Sequence, residues 1–226
     1  MKILGTMGLL IICLSCTSLF KNRGKILFED HFPENLNANN WVVEMEKLPD
    51  SKVYTAQQSL VLDTKGGVTV WLNKVLQGNL KITYKRKVIL NGGLNDRLSD
   101  LNQFWLAQVP PHKSLFGRSG KFEEYDDISM YYVGMGGNYN TTTRFRKYDG
   151  KGNKPLIQEK NDTAHLLQAN HEYLVTIVIK GQTTSFWIDN EKVFEHLDIN
   201  IPTSFYFGFR STFSHHEIRD FKIIRL

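Results

Sequence analysis

From Ile26 onward, apolar and polar residues alternate with a period of two over short runs, and no stretch shows the three-and-four spacing of a long amphipathic helix. The runs at 26–32, 41–44, 59–62, 68–72 and 80–85 are rich in β-branched and aromatic residues and are separated by Asn, Gly and Asp. The same style returns at 173–179, 184–189, 205–210 and 218–224, with Asp189-Asn190-Glu191 as a tight hairpin turn before Val193-Phe194. Many short strands, with no internal repeat and no dividing linker, predict a single all-β domain over 26–226. Its expected form is a two-sheet antiparallel jelly-roll sandwich. Polar insertions at 91–100 and 110–121, the second followed by the acidic FEEYDD, and an irregular stretch at 150–170 interrupt the rhythm. Long loops of this kind are where binding and chemistry concentrate.

The richest segment is 131–148, YYVGMGGNYNTTTRFRKY, which combines a glycine turn with Asn138, Asn140, arginines and tyrosines. As a strand, 142–148 places Thr142, Arg144, Arg146 and Tyr148 on one face and Thr143, Phe145 and Lys147 on the other. Two guanidiniums about 7 Å apart, followed by a phenol, suit a carboxylate-bearing sugar. The plainer alternative pairs the arginines with acids of neighbouring strands on a solvated face. In 205–210 three phenylalanines face the core, and Tyr206, Gly208 and Arg210 face the other way as the expected floor of a groove, or as an ordinary solvated face. At 100–107, Gln103 and Trp105 share one face and Asn102, Phe104 and Leu106 the other. Trp105 is then either a stacking platform for a pyranose or a core residue. Ser214-His215-His216 reads as a turn before the last strand, with one histidine aimed at the groove.

The chain of 226 residues has 41% hydrophobic, 12% aromatic and 23% charged residues, which fits a globular domain. Its net charge of +5 is scattered without a basic run, which argues for acidic ligands and against nucleic acid. Met1-Lys2, an apolar run over 3–14 and Leu14-Ser15-Cys16 read as an export signal too short to span a bilayer. The segment resembles a bacterial lipoprotein signal: residues 1–15 as signal peptide, Cys16 as the lipidated first residue and 16–25 as a tether. A plain secretory signal is the alternative. Both cysteines, Cys13 and Cys16, lie in this leader, so the mature domain has none for a disulfide. That resemblance implies a lipid-anchored envelope protein, and the tether lacks the acidic cluster that many surface-exported lipoproteins carry after the cysteine, so the periplasmic face is expected.

No H-x-H, HExxH or Cys/His spacing supports a transition metal, no EF-hand loop argues for calcium, and neither a G-x-S-x-G elbow nor a phosphate-binding loop is present. No cofactor is expected. Same-face carboxylates in Glu123-Glu124-Tyr125-Asp126-Asp127 offer a hydrolytic pair or, more simply, an acidic turn. The E-x-D-x-x-E strand of laminarinase-like hydrolases is absent. What remains is a kit for β-elimination, which needs a base and a cation or donor for the enolate-like intermediate. Arg144, Arg146 or Arg210 would neutralise a carboxylate, with Asn102 and Asn138 as further donors. Tyr148, Tyr132 or His215 would act as base, a tyrosine among arginines having its pKa lowered. Gln103, Trp105 and Tyr206 complete the expected binding set.

The segments RLSDLNQFW (97–105), YYVGMGGNYNTTTRFRKY (131–148), ANHEY (169–173) and FGFRSTFSHHEIRDF (207–221) resemble a bacterial family of unknown function related to the YesU-like proteins found among pectin-degradation genes. The resemblance implies a concanavalin A-like jelly roll and a link to polysaccharide breakdown, without assigning catalytic residues. Together these readings predict an envelope protein acting on acidic or oxidised poly- or oligosaccharides, by elimination at a uronate or keto-sugar. A hydrolase of the same fold and a non-catalytic glycan-binding module are the alternatives.

Overall fold

A computed structural model describes residues 24–226. The expected signal peptide, Cys16 and the part of the expected tether before Gly24 lie outside the described residues. The strands in chain order are β1 (Ile26–Asp30), β2 (Trp41–Met45), β3 (Lys52–Ala56), β4 (Ser59–Leu72), β5 (Leu76–Gln77), β6 (Leu80–Val88), β7 (Leu101–Ala107), β8 (Ser129–Gly136), β9 (Thr142–Asp149), β10 (Leu156–Lys160), β11 (Glu172–Lys180), β12 (Thr183–Ile188), β13 (Glu191–Leu197) and β14 (Ser204–Arg225). All the named pairings are antiparallel.

Two strands belong to both layers. The 22-residue β14 and the 14-residue β4 pair with one another along most of their length and bend from one layer into the other. Through their near halves they complete a first sheet, β10-β9-β8-β7-β14-β4-β2. Their far halves complete a second, β13-β12-β11-β6-β14-β4-β3, with β1 added to the end of β14. The register of β14 shifts between Thr212 and Ser214, where Phe213 takes a positive φ of 45°. Such a bulge bends and twists a strand, which is how one strand serves two layers.

The alternation seen in the sequence fills the space between the layers. Phe205, Phe207 and Phe209 meet Ile82, Tyr84, Val175, Ile177 and Phe221 in one main core. Trp105 stacks there on Phe145 and Tyr131, and its indole N–H donates to Thr184 at 2.8 Å. Gln103 is also inside, accepting from the Tyr84 hydroxyl and donating to the Val133 carbonyl, both at 2.7 Å. These two residues therefore belong to the core and do not bind sugar, because their strand face points between the sheets.

The outer face of the first sheet is where the sequence reading needs most correction. The insertion after β7 is not a free loop. Its Leu115, Tyr125 and Ile128 pack onto Trp71, Phe104 and Ala107 to form a second core, with Phe116, Phe122 and Tyr206 against it. Gly208, expected as an open floor, lies under the Trp71 indole, where a Cβ would come within 2.7 Å of the ring. The insertion is tied down by Glu44, whose carboxylate accepts from Gly117 N, Arg118 N, the Trp71 indole and the Tyr125 hydroxyl at 2.6–2.9 Å. Tyr206 packs edge-on against Phe116 beneath the same cover and does not line a sugar groove.

Candidate functional site

The uncovered part of that face holds a cleft of about 470 Å³, lined by residues from three adjacent strands and the segments around them. From β9 it takes Thr142, Arg144, Arg146 and Tyr148, four positions that the period of two puts on one face. Neighbouring β8 supplies Tyr132 and Gly134, and β7 supplies Asn102. Gly134 is required by space: a Cβ there would collide with the Tyr132 hydroxyl and lie 2.8 Å from Asn102 Oδ1. The turn Gly137–Asn140 adds Asn138 and Tyr139, and the segment before β7 adds Arg97, Ser99 and Asp100. Phe122 and Lys154 form one wall.

Four cations and one carboxylate line this cleft. Arg144 donates to Glu159 at 2.5 Å, Lys154 pairs with Asp126 at 2.9 Å, and Arg97 pairs with Asp100 at 2.5 Å. Arg146 differs from the others. Its Nη1 donates to the Lys154 carbonyl at 2.8 Å, and among the described residues it has no carboxylate at ion-pair distance. A half-buried guanidinium without an anion is suited to receive one from a ligand.

The phenols here are the reverse of the expected bases. Burial raises the pKa of Tyr148 and lifts that of Tyr132 well above the usual phenol value, outweighing the lowering by Arg146 and Arg210. Both therefore stay neutral, the wrong form for a base. The Tyr148 hydroxyl and Asn102 Oδ1 are buried and have no partner among the described residues. Asp100 is the group with basic potential: desolvation raises its pKa in spite of Arg97 beside it. It also holds a left-handed backbone, φ 65°, directly before β7.

Besides Gln103, Trp105 and Tyr206, two more residues expected in the site lie elsewhere. Arg210 is fully buried behind the cleft, donating to the Gly120 carbonyl at 2.6 Å and to Thr69 at 3.1 Å, so it cannot meet a substrate directly. Its charge faces the Phe122 and Tyr125 rings at 4.9 and 5.1 Å. His215 sits within β14, not in a turn, and its Nδ1 lies 2.9 Å from Asp96 Oδ1, away from the cleft. Its neighbour His216 points into the core. The acidic 122–127 segment is consumed structurally, with Glu124 bonded to Ser119 and Asp127 to Arg118 and Lys113. The sequence reading assigned no role to Arg97, Asp100, Tyr139 or Lys154. Carrying the β7 alternation two residues back from Asn102 points to Asp100; no sequence signal ties Lys154 to this face.

A family model described as a domain of unknown function (DUF6250) matches residues 62–221, most of the folded chain. The chain belongs to this family. No curated protein matches the chain. Among solved structures, a Bacillus subtilis protein of unknown function with a galectin-like fold is 16% identical, with a TM-score of 0.70 over 90% of this chain and 99% of that one. A laminarinase from Flavobacterium sp. UMI-01 is 14% identical, with a TM-score of 0.62 over 89% and 100%. A carbohydrate-binding module, CBM66, from Bacillus subtilis is 10% identical, with a TM-score of 0.56 over 85% and 99%. Identities this low speak to fold alone. They agree with the strand pairing in making this DUF6250 domain an antiparallel jelly-roll sandwich of the galectin and concanavalin A type.

Proposed function

We propose that this domain takes an acidic or oxidised poly- or oligosaccharide in the Arg146 cleft and cleaves it by β-elimination, carried on a lipid anchor at Cys16 in the bacterial envelope. The observation that carries the reading is Arg146, a cation without a carboxylate partner among the described residues, in a cleft lined by one carboxylate, Asp100. The use of this fold by a laminarinase and a carbohydrate-binding module supports a saccharide as ligand. The resemblance to YesU-like proteins of pectin-degradation loci supports a uronate.

In this mechanism Arg146, aided by Arg144 and Lys154, neutralises the uronate carboxylate. Asp100 removes the proton from the adjacent carbon, and negative charge builds on the carboxylate that Arg146 holds. The carbon–oxygen bond at the β position then breaks, and the leaving oxygen takes a proton from neutral Tyr148 or from water. Hydrolysis by the usual acid and base would need two facing carboxylates, and the cleft lining supplies one. Glycan binding without cleavage is the second reading, favoured by the fold likeness to CBM66.

Purified domain incubated with uronate polysaccharides and 3-keto glycosides should give unsaturated products, followed by absorbance and mass. Arg146→Ala should abolish binding with about 0–1 kcal/mol lost in stability, since its side chain pairs with no carboxylate among the described residues. Asp100→Asn should bind without turnover. Saturated products would replace elimination by hydrolysis, and binding without any product would make the domain a module.

A further inference from the structure

At the mouth of the cleft, Asn138, Tyr139 and Asn140 form three consecutive left-handed residues, with φ of 52°, 58° and 59°. Asparagine tolerates this region; a tyrosine there is rare and costs conformational energy. The turn is held from outside. Asn140 exchanges two hydrogen bonds with the backbone of Leu167 at 2.8 and 2.9 Å, and Thr141 bonds back to Gly137 and Asn138 at 2.9 and 2.8 Å. The strained backbone raises a ring into solvent: Tyr139 is 79% exposed. Burial therefore does not explain its presence.

The ring nevertheless has a fixed support. The Arg97 guanidinium lies 5.3 Å from its centroid, and Arg97 is itself fastened to Asp100, to the Phe213 carbonyl at 2.8 Å and to the Thr212 carbonyl at 2.6 Å. A cation braces one face of the tyrosine and leaves the other towards water. Tyr139 and Arg97 both belong to the lining that carries Asp100 and Arg146.

We infer that Tyr139 is a stacking platform for the sugar ring next to the one held at Arg146, which makes the ligand of this cleft an oligosaccharide and not a single sugar. Resting on the cleft being a saccharide site, the inference adds a second subsite and a length requirement. An aromatic face fixed before binding gains contact area with little further loss of entropy.

The test compares galacturonate, tri-galacturonate and the neutral laminaritriose on three proteins by calorimetry: wild type, Tyr139→Phe and Tyr139→Asn. Asparagine removes the ring and suits the left-handed backbone, so the turn keeps its shape. The wild type should bind the acidic trisaccharide more tightly than the monosaccharide. Tyr139→Phe should retain that preference, and Tyr139→Asn should lose about tenfold in affinity for the trisaccharide alone. Equal affinities of wild type and Tyr139→Asn for the trisaccharide would overturn the platform while leaving the acidic-sugar reading intact. Binding of laminaritriose only, weakened by Tyr139→Asn, would keep the platform and overturn the acidic sugar. A wild type that binds none of the three overturns both.

Discussion

The guanidinium of Arg86 donates to the backbone carbonyl of Asn102 at 2.6 Å from behind the sheet that carries the cleft. It also reaches the Arg210 carbonyl at 2.9 Å and His216 Nδ1 at 3.2 Å. Asn102 and Arg210 are partners at the end of the β7–β14 pairing, beyond which β6 takes over as the neighbour of β14. Arg86 therefore closes the place where the ladder changes partners, using side-chain donors for carbonyls in a junction between strands.

Arg86→Met should be strongly destabilising for that reason. The charge is fully buried, and burial lowers its pKa to about 10, so removing it relieves a desolvation cost. Against that relief, two carbonyls and a ring nitrogen lose their donor at roughly 1–3 kcal/mol each. The losses win, and urea unfolding should show a net loss of about 3 kcal/mol or more. A variant as stable as wild type would mean that the junction satisfies its carbonyls in another way.

His216 gives the domain a pH dependence of definite sign. Burial first, then the nearby charges of Arg86 and His215, hold its pKa well below 6.5. The native ring stays neutral where the unfolded ring takes up a proton. Below about pH 6.5 the unfolded state thus binds more protons, and stability falls with falling pH by up to about 1.4 kcal/mol per unit. His216→Gln keeps an acceptor for Arg86 and removes the titration. Its stability should decline less steeply than wild type between pH 6.5 and 5; parallel curves would remove His216 as the cause.

Alternation made one strand face legible and hid another. Thr142, Arg144, Arg146 and Tyr148 line one cleft because β9 is a regular strand whose outer face stays open at Arg144 and Arg146. The same logic applied to Tyr206, Gly208 and Arg210 gave the right face and the wrong environment. Period two separates the two sides of a sheet without telling a solvated side from a roofed one. Here the roof comes from Leu115, Phe122 and Tyr125, aromatic and apolar residues spaced irregularly within a polar insertion. His215 was misplaced because the bulge at Phe213 lets β14 continue through 214–216, where the polar Ser-His-His run suggested a turn. Asp100 and Arg97 lie outside the periodic run and carry no spacing signal beyond the first step before Asn102.

Glu44 should decide whether that roof stays on. One oxygen accepts the backbone N–H groups of Gly117 and Arg118, and the other accepts the Trp71 indole and the Tyr125 hydroxyl. Glu44→Ala strands four donors, three of them in the insertion itself and one, the Trp71 indole, beneath it, at a cost of about 3 kcal/mol or more. The expected first sign is cleavage within 108–128 by a protease at concentrations that leave wild type intact. Loss of the Phe122 wall should weaken saccharide binding in parallel. An insertion that remained protected would show that the second core alone holds it in place.

Tyr148 offers a case in which stability and function should move in opposite directions. Its hydroxyl is buried in the cleft lining without a partner among the described residues, so it contributes no hydrogen bond to the described fold. Burying an unsatisfied hydroxyl costs about 1–3 kcal/mol, and Tyr148→Phe removes that cost while the ring keeps its contact with Phe104 and Phe122. The variant should therefore unfold at equal or higher denaturant concentration than wild type. Its affinity or turnover on an acidic oligosaccharide should drop by about tenfold, the value of one hydrogen bond to a charged group. Stabilisation together with lost function is the signature of a group kept for its ligand. A Phe variant with full activity would take Tyr148 out of the site, and one with lower stability would mean that the hydroxyl has a water or protein partner after all.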